Sequence, residues 1–360
     1  AAVVAFRDAF DGRGWAYRHS AISTGWKLMH MPWSYGRRRA NLAEGLAELE
    51  RVDLEGVRGS QVEVPYGSWT PHDPLRGAAP LSCVTAYDVN GQRLAACARL
   101  SVGIGVPVER RHANQEPAFD PKLPGYHLVR TIEEPFPGLI PPIMAPGWHT
   151  TPRLAMAEAL GIGFTLERSI VWPQHVPYFN PWYESMREAR GALMARHDRG
   201  AQLALGALKQ CYLQPLGRLR SGRARETNSA LYRPSWYDAV IGQELARQYL
   251  RMHQLADLGV PVLAVYFDTI VIETESTDPI AGAPAPLEVS DQLGKYKPLG
   301  PALDSSHARS ILYADSERGP NVGALVKALK SAPAMPPVAP APAAWHSRPV
   351  HGGYPEMANA

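Results

Sequence analysis

Apolar and polar positions along this chain follow two periodicities, and their order lays out the elements. Val260–Thr274, VPVLAVYFDTIVIET, is apolar on both sides of Asp268-Thr269, so it reads as two short buried strands meeting in a tight hairpin with an acidic tip. AYDVNGQRL (Ala86–Leu94) sets Asp88 at the end of another apolar strand, followed by a short helix through Leu94 and Cys97. A loop rich in glycine and proline follows (Gly103, Gly105, Pro107), with strands expected around Tyr126–Ile132 and Phe164–Trp172. Elsewhere the spacing is helical. Asn41–Arg51 places Leu42, Leu46 and Leu49 on one side and Glu44, Glu48 and Glu50 on the other. Thr151 caps a predicted helix opened by Pro152 and stopped at Gly161. Asn180 caps another, opened by Pro181 and reaching His197, and its antiparallel partner runs from Ala201 to Gln214, where Pro215 is expected to end it. Pro234–Leu258 is a long helix with Ile241, Leu245 and Met252 on one face and Gly259 as its stop. From Ala332 onward the Pro- and Ala-rich sequence loses periodicity and reads as a disordered tail.

Composition narrows the classes. A chain of 360 residues accommodates two or three subdomains with a sizeable core. With 45% apolar and 20% charged residues, disorder throughout is excluded. The net charge of +3 says little, but its distribution says more: Met186–Arg225 holds nine Lys and Arg against Glu188 and Asp198, the electrostatic footprint of a polyanion site. Gly36-Arg37-Arg38-Arg39 is a second basic run, read as a solvated helix start. Cys83, Cys97 and Cys211 are odd in number and lack C-x-x-C spacing, which argues against a disulfide framework or zinc site and fits a reducing cytoplasm. Neither a signal peptide nor an apolar run near the ~20 residues of a membrane span occurs, so no membrane partner is expected. The start at Ala1 without Met reads as a fragment of a longer protein.

The order of the segments carries the candidate chemistry. Asp88-Val-Asn-Gly91-Gln-Arg93-Leu94, then Lys209-Gln-Cys-Tyr-Leu213-Gln214-Pro-Leu216-Gly217, then Tyr266-Phe267-Asp268-Thr269-Ile270, then Leu293-Gly294-Lys295-Tyr296-Lys297 follow one another along the chain. This series resembles the palm and fingers of family B DNA polymerases, whose motifs read D-x-x-S-L-Y-P, K-x-x-x-N-S-x-Y-G, Y-x-D-T-D and L-G-x-[FWY]-K. The resemblance covers Ser82–Lys297. It implies an α+β fold: a polymerase-like palm with an antiparallel sheet, a two-helix fingers subdomain, and a thumb that is absent or vestigial. The corresponding division is 1–80, an N-terminal segment of uncertain fold; 81–180, first part of the palm; 181–225, the fingers-like helical pair; 226–330, second part of the palm; and 331–360, the tail.

The same resemblance implies site residues. Asp88 and Asp268 become the catalytic and metal-ligating carboxylates for Mg2+ or Mn2+, because metal-dependent phosphoryl transfer needs acidic oxygens on rigid strands. Arg93 and Lys209 become nucleotide-binding residues, a compact ammonium suiting phosphate oxygens. Arg187, Arg190, Arg220, Lys295, Tyr296 and Lys297 become DNA contacts, and the five cations among them are expected to converge with Lys209 on one groove. The departures point away from turnover. Ile270 stands where the family has its second palm acid, Arg93 where it has the ribose-screening tyrosine, and Leu213 and Leu216 where the fingers carry Asn and Tyr. Losing ~4 kcal/mol of transition-state stabilisation already slows transfer about a thousandfold. Glu273 lies three residues past Ile270, so strand alternation turns it to the other face. The first reading is therefore a DNA-binding, polymerase-like protein of DNA replication or DNA-end maintenance with a degenerate nucleotidyl-transfer site, similar to telomere-associated proteins of linear replicons. It would hold a single strand or primer-template end and recruit other replication proteins. The alternative is an active DNA-directed DNA polymerase or terminal nucleotidyltransferase with a rearranged two-metal site. A third is an α+β domain unrelated to nucleic acid.

Overall fold

A computed structural model describes residues 2–10, 20–30, 69–70, 81–112, 118–133, 145–221, 232–314 and 319–333. The predicted helix at Asn41–Arg51, the run Arg37–Arg39 and the tail beyond Pro333 lie outside the described residues. In chain order, α1 (Ala2–Asp8) and α2 (Ala21–His30) precede strand β1 (Cys83–Val89) and the short helix α3 (Gln92–Ala96). Then come β2 (Val102–Gly103), β3 (Val108–Arg111), β4 (Gly125–Ile132), β5 (Gly147–Thr150), α4 (Thr151–Ala159), β6 (Phe164–Val171) and β7 (His175–Val176). Helices α5 (Asn180–Met194), α6 (Arg199–Arg218) and α7 (Pro234–Asp257) lead into the hairpin β8 (Val262–Tyr266) and β9 (Thr269–Thr274). The described chain closes with β10 (Tyr296–Pro298), β11 (Leu303–Asp304), α8 (Ser305–Leu312) and α9 (Val322–Ser331).

The central sheet is antiparallel in the order β10-β1-β9-β8, with β11 pairing farther along β1. Strand β1 is thus interior, and Asp88 lies opposite Thr269 on one side and Lys297 on the other. Both faces are covered. Val84, Ala86, Ala264 and Val271 face Leu312 of α8 and Leu325 and Leu329 of α9. Tyr87, Val89, Ile270 and Ile272 face Tyr249, Met252 and Leu255 of α7, together with Leu154 of α4 and Val129 and Leu166 of a second antiparallel sheet, β3-β6-β4-β5. Strands buried on both faces carry continuous apolar runs, which is why the hairpin sequence shows no polar alternation.

Helices α5 and α6 form the basic layer beside this sheet, but they are not alone. Phe6 of α1 and Met29 of α2 join Trp182, Met186, Leu208 and Leu216 in one core, so the expected helical pair is a four-helix layer and part of segment 1–80 belongs to it. Helix α6 also runs through Pro215 instead of ending there. Proline has no N–H, so the carbonyl of Cys211, four residues earlier, loses its helical donor. Helix α2 crosses at that point with Gly25, where an added Cβ would stand 1.8 Å from the Cys211 oxygen and 2.6 Å from the Pro215 ring. The break costs about 3 kcal/mol in an exposed helix; burial of the α2–α6 contact offsets it here.

Two expected caps work differently. The Asn180 side chain accepts from the Arg99 amide at 3.0 Å, leaving Phe179 at the cap of α5. Thr151 is already helical, and its hydroxyl donates to the Leu123 carbonyl at 2.7 Å. The stop at Gly259 is as expected: φ is +69°, with Gly259 N–H donating to Ala256 and Val260 N–H to Leu255, both at 2.9 Å. After Lys297 the described residues form β11, α8 and α9 against the sheet's far face.

Candidate functional site

The site starts from a strained turn. Tyr266 and Thr269 are the last pair of the β8–β9 hairpin, leaving Phe267-Asp268 as its tip. Phe267 takes φ +52°, a left-handed conformation that L side chains other than Asn and Asp seldom adopt. The Gln248 side chain on α7 holds it there, donating to the Phe267 carbonyl at 2.7 Å. This tip brings Asp268 beside Asp88, which sits across from Thr269 on the neighbouring strand. The two carboxyls line the same cleft and interact electrostatically. Burial first, then the negative charge of Asp88, pushes the Asp268 carboxyl up to about 6. Lys297, opposite Asp88 on β10, places Nζ 3.0 Å from Asp88 Oδ2.

A third acid completes the cluster. Glu244 of α7 is buried, and Arg93 of α3 points Nε at its Oε1 from 3.5 Å. Burial pushes the Glu244 carboxyl up to about 8; Arg93 pulls it down and Asp268 adds to the rise. Sequence reasoning passed over Glu244, though a signal existed: Ile241, Glu244, Leu245, Gln248 and Met252 share one helical face, so an acid and an amide interrupt an apolar stripe. Glu273 lies elsewhere, as alternation predicted, bonded to Ser305 at 3.0 Å and to Arg309. Ile270 is fully buried, opposite Tyr87 in the core against α7. Among the described residues, no three His, Cys, Asp or Glu side chains converge on one metal-sized point.

These groups line a cleft of about 690 Å³ between the sheet end and the helical layer. Asp88, Arg93, Asp268 and Lys297 form one wall, with Arg190 of α5 and Lys209 of α6 on the other. Arg190 Nη1 also donates to the Asp291 carbonyl at 2.5 Å. The remaining expected contacts do not converge there. Arg187 and Lys295 line an adjoining pocket of about 320 Å³ that shares Gln92, Glu244 and Gln248 with the cleft. Arg187 pairs with Glu184 at 2.6 Å over the Tyr183 ring, and Lys295 pairs with Glu288. Arg220 stands apart: its guanidinium is 3.0 Å from Asp238, which also accepts from Tyr126 at 2.8 Å. Tyr296 is 3% exposed and belongs to the core behind α7, so its ring is not available to stack on a base from that position. The expected single groove of six cations is therefore a cleft with Arg190, Lys209 and Lys297, a neighbouring pocket with two more, and one structural arginine.

No protein-family model matches the chain, and no curated protein matches it. Among solved structures it is similar to phi29 DNA polymerase. The orthorhombic crystal form aligns with a TM-score of 0.52 at 12% identity, over 81% of this chain and 54% of that one. The post-translocation binary complex with primer-template DNA aligns with a TM-score of 0.51 at 12% identity, over the same shares. Likeness at this identity is one of fold, and the chain spans about half the length of the polymerase it matches.

Proposed function

We propose that this chain is a DNA-binding protein built on a family B polymerase-like palm and fingers, acting in DNA replication or DNA-end maintenance without nucleotidyl transfer. The observation that carries the reading is the Lys297 ammonium seated 3.0 Å from Asp88. Two-metal transfer requires both palm carboxylates to be presented to cations. Here Asp88 is paired with a lysine, burial and then the charge of Asp88 hold Asp268 toward its protonated form, and burial does the same to Glu244 despite Arg93 beside it. Ile270 is closed into the core. This donor set suits a resident ammonium rather than a pair of Mg2+ or Mn2+ ions.

What the cleft retains suits phosphodiesters. Arg190 and Lys209 project from the fingers-like layer across from Lys297, and Arg93 occupies the region where an active relative needs an aromatic floor. The occupant is a DNA single strand or primer-template end, with other replication proteins recruited to the complex. The described segment after Lys297 packs on the sheet, in keeping with a vestigial thumb. The active-enzyme alternative draws on Asp88 and Asp268 sharing one cleft. Primer extension with magnesium or manganese separates the two readings. Incorporation by the parent is expected at background and unchanged in Asp88→Ala, while DNA binding persists in a salt-dependent gel shift. Robust extension abolished by Asp88→Ala overturns the non-catalytic reading; failure to shift DNA at low salt overturns both.

A further inference from the structure

We propose that Phe267 is a base-stacking platform, a subsite for one unpaired base of the strand held in the cleft. The inference rests on the DNA-binding reading and adds to it the contact that engages a base. Phe267 is 50% exposed, and among the described residues it is the sole large exposed hydrophobic lining the cleft; Val106, Val108, Leu203, Leu258 and Ile280 lie outside it. Its ring meets Tyr266 in a T-shaped contact, with centroids 4.8 Å apart and planes at 78°, so Tyr266 covers at most one of its faces.

The backbone is unfavourable for a phenylalanine, with φ +52°, and is held by the buried Gln248 side chain. Strained residues pinned by their surroundings cluster at ligand clamps. Across the cleft, Met194, Leu205 and Leu213 offer an apolar wall, while Arg190, Lys209 and Lys297 supply the cations. A nucleotide matches that division: its base is flat and apolar on both faces, and its phosphate is anionic. A purely electrostatic groove would have no use for an aromatic ring at its acidic end.

Fluorescence anisotropy tests this with a labelled oligo(dT) strand and an abasic deoxyribose-phosphate strand of equal length and charge. The parent binds oligo(dT) about 5- to 150-fold more tightly, the scale of one stacked base. Phe267→Asn keeps a residue that tolerates positive φ but removes the ring. It is expected to lower oligo(dT) affinity to the abasic level, with abasic affinity and the salt slope unchanged, while Phe267→Trp retains the preference. If Phe267→Asn binds oligo(dT) as tightly as the parent, or loses both strands equally, the stacking subsite is refuted and the DNA-binding reading stands. A parent that binds neither strand at low salt refutes that reading, and the subsite with it.

Discussion

Between pH 4.5 and 8 the Glu244 carboxyl keeps a proton that an exposed glutamate would lose, because burial penalises its charged form more than Arg93 rewards it. The folded chain then binds more protons than the unfolded one, so this stabilisation is full at acidic pH and disappears as pH rises through about 8. Glu244→Gln copies the protonated shape without the titration. Denaturant unfolding should find it close to the parent at pH 5 and more stable at pH 9; parallel stability curves would show that Glu244 does not titrate in this range. Asp268 behaves in the same sense over a lower window, from its ordinary 3.8 up to about 6. Ile270 stands where the family B pattern has its second palm acid. Placing Asp there buries a carboxylate opposite Tyr87, in the apolar core, so Ile270→Asp is expected to lose about 3–5 kcal/mol, the scale of an uncompensated buried charge. Urea unfolding measures it. Gain of metal-dependent extension without loss of stability would contradict this placement of the side chain.

Element by element, local signals were read well and long-range ones poorly. The hairpin, the β1 strand and the α7 stop follow from apolar runs and a glycine that takes φ +69°, all properties of a few adjacent residues. Pro215 misled because its rule applies to a helix alone, and α2, nearly two hundred residues earlier, supplies the compensating contact. That contact makes a sharp prediction. A methyl group at Gly25 would meet the Cys211 carbonyl at 1.8 Å, so Gly25→Ala should cost about 3 kcal/mol by overpacking and separate the helices; a neutral result would mean α2 does not sit there. The β4–β6 sheet holds a second element the sequence did not announce. His112 bonds the Ser169 hydroxyl at 2.7 Å, Ser169 bonds His127 Nδ1 at 2.8 Å, and His127 Nε2 bonds Thr151 at 3.0 Å. Because Thr151 donates onward to Leu123, it accepts from Nε2–H, and His127 takes its Nδ1 as acceptor, the neutral tautomer. Burial pushes His127 down to about 3, so the unfolded chain takes up the extra proton as pH falls below 6.5. His127's own contribution to stability should therefore shrink from pH 6.5 toward 3, against the opposite contributions of Glu244 and Asp268. It is read as a parent-minus-His127→Gln difference in unfolding free energy that declines over that window; a constant difference would show that His127 does not titrate there.

Over the whole molecule, motif order located the carboxylate pair but not the charged groups packed around it, and the reason is topological. Asp88 and Asp268 stand out because each ends an apolar strand. Lys297 reaches Asp88 only through β10 pairing, and Glu244 reaches Asp268 only because α7 packs under the hairpin. Cation placement follows the same logic: equal spacing on a helix says nothing about which wall of a cleft a residue meets. Arg190 and Lys209 line the cleft, whereas Arg220 is committed to Asp238. A strand bound along the cleft releases counterions from each phosphate that a cation meets, so each contact removed lowers the log–log salt slope by about 0.7 for single-stranded DNA. Arg190→Gln with Lys209→Gln should then lower the slope by about 1.4 and weaken binding alike for unrelated sequences, because phosphates carry no base information. Arg220→Gln should leave the slope unchanged while lowering thermal stability, since it strips the buried Asp238 carboxylate of a charged partner and leaves it the Tyr126 hydroxyl. Arg187→Gln with Lys295→Gln reports on the adjoining pocket: a lowered slope places the strand there as well, and an unchanged one confines it to the cleft. An equal slope in the parent and the Arg190–Lys209 double variant would mean that neither side chain meets a phosphate, and would overturn the placement of the strand between the helical layer and the acidic pair.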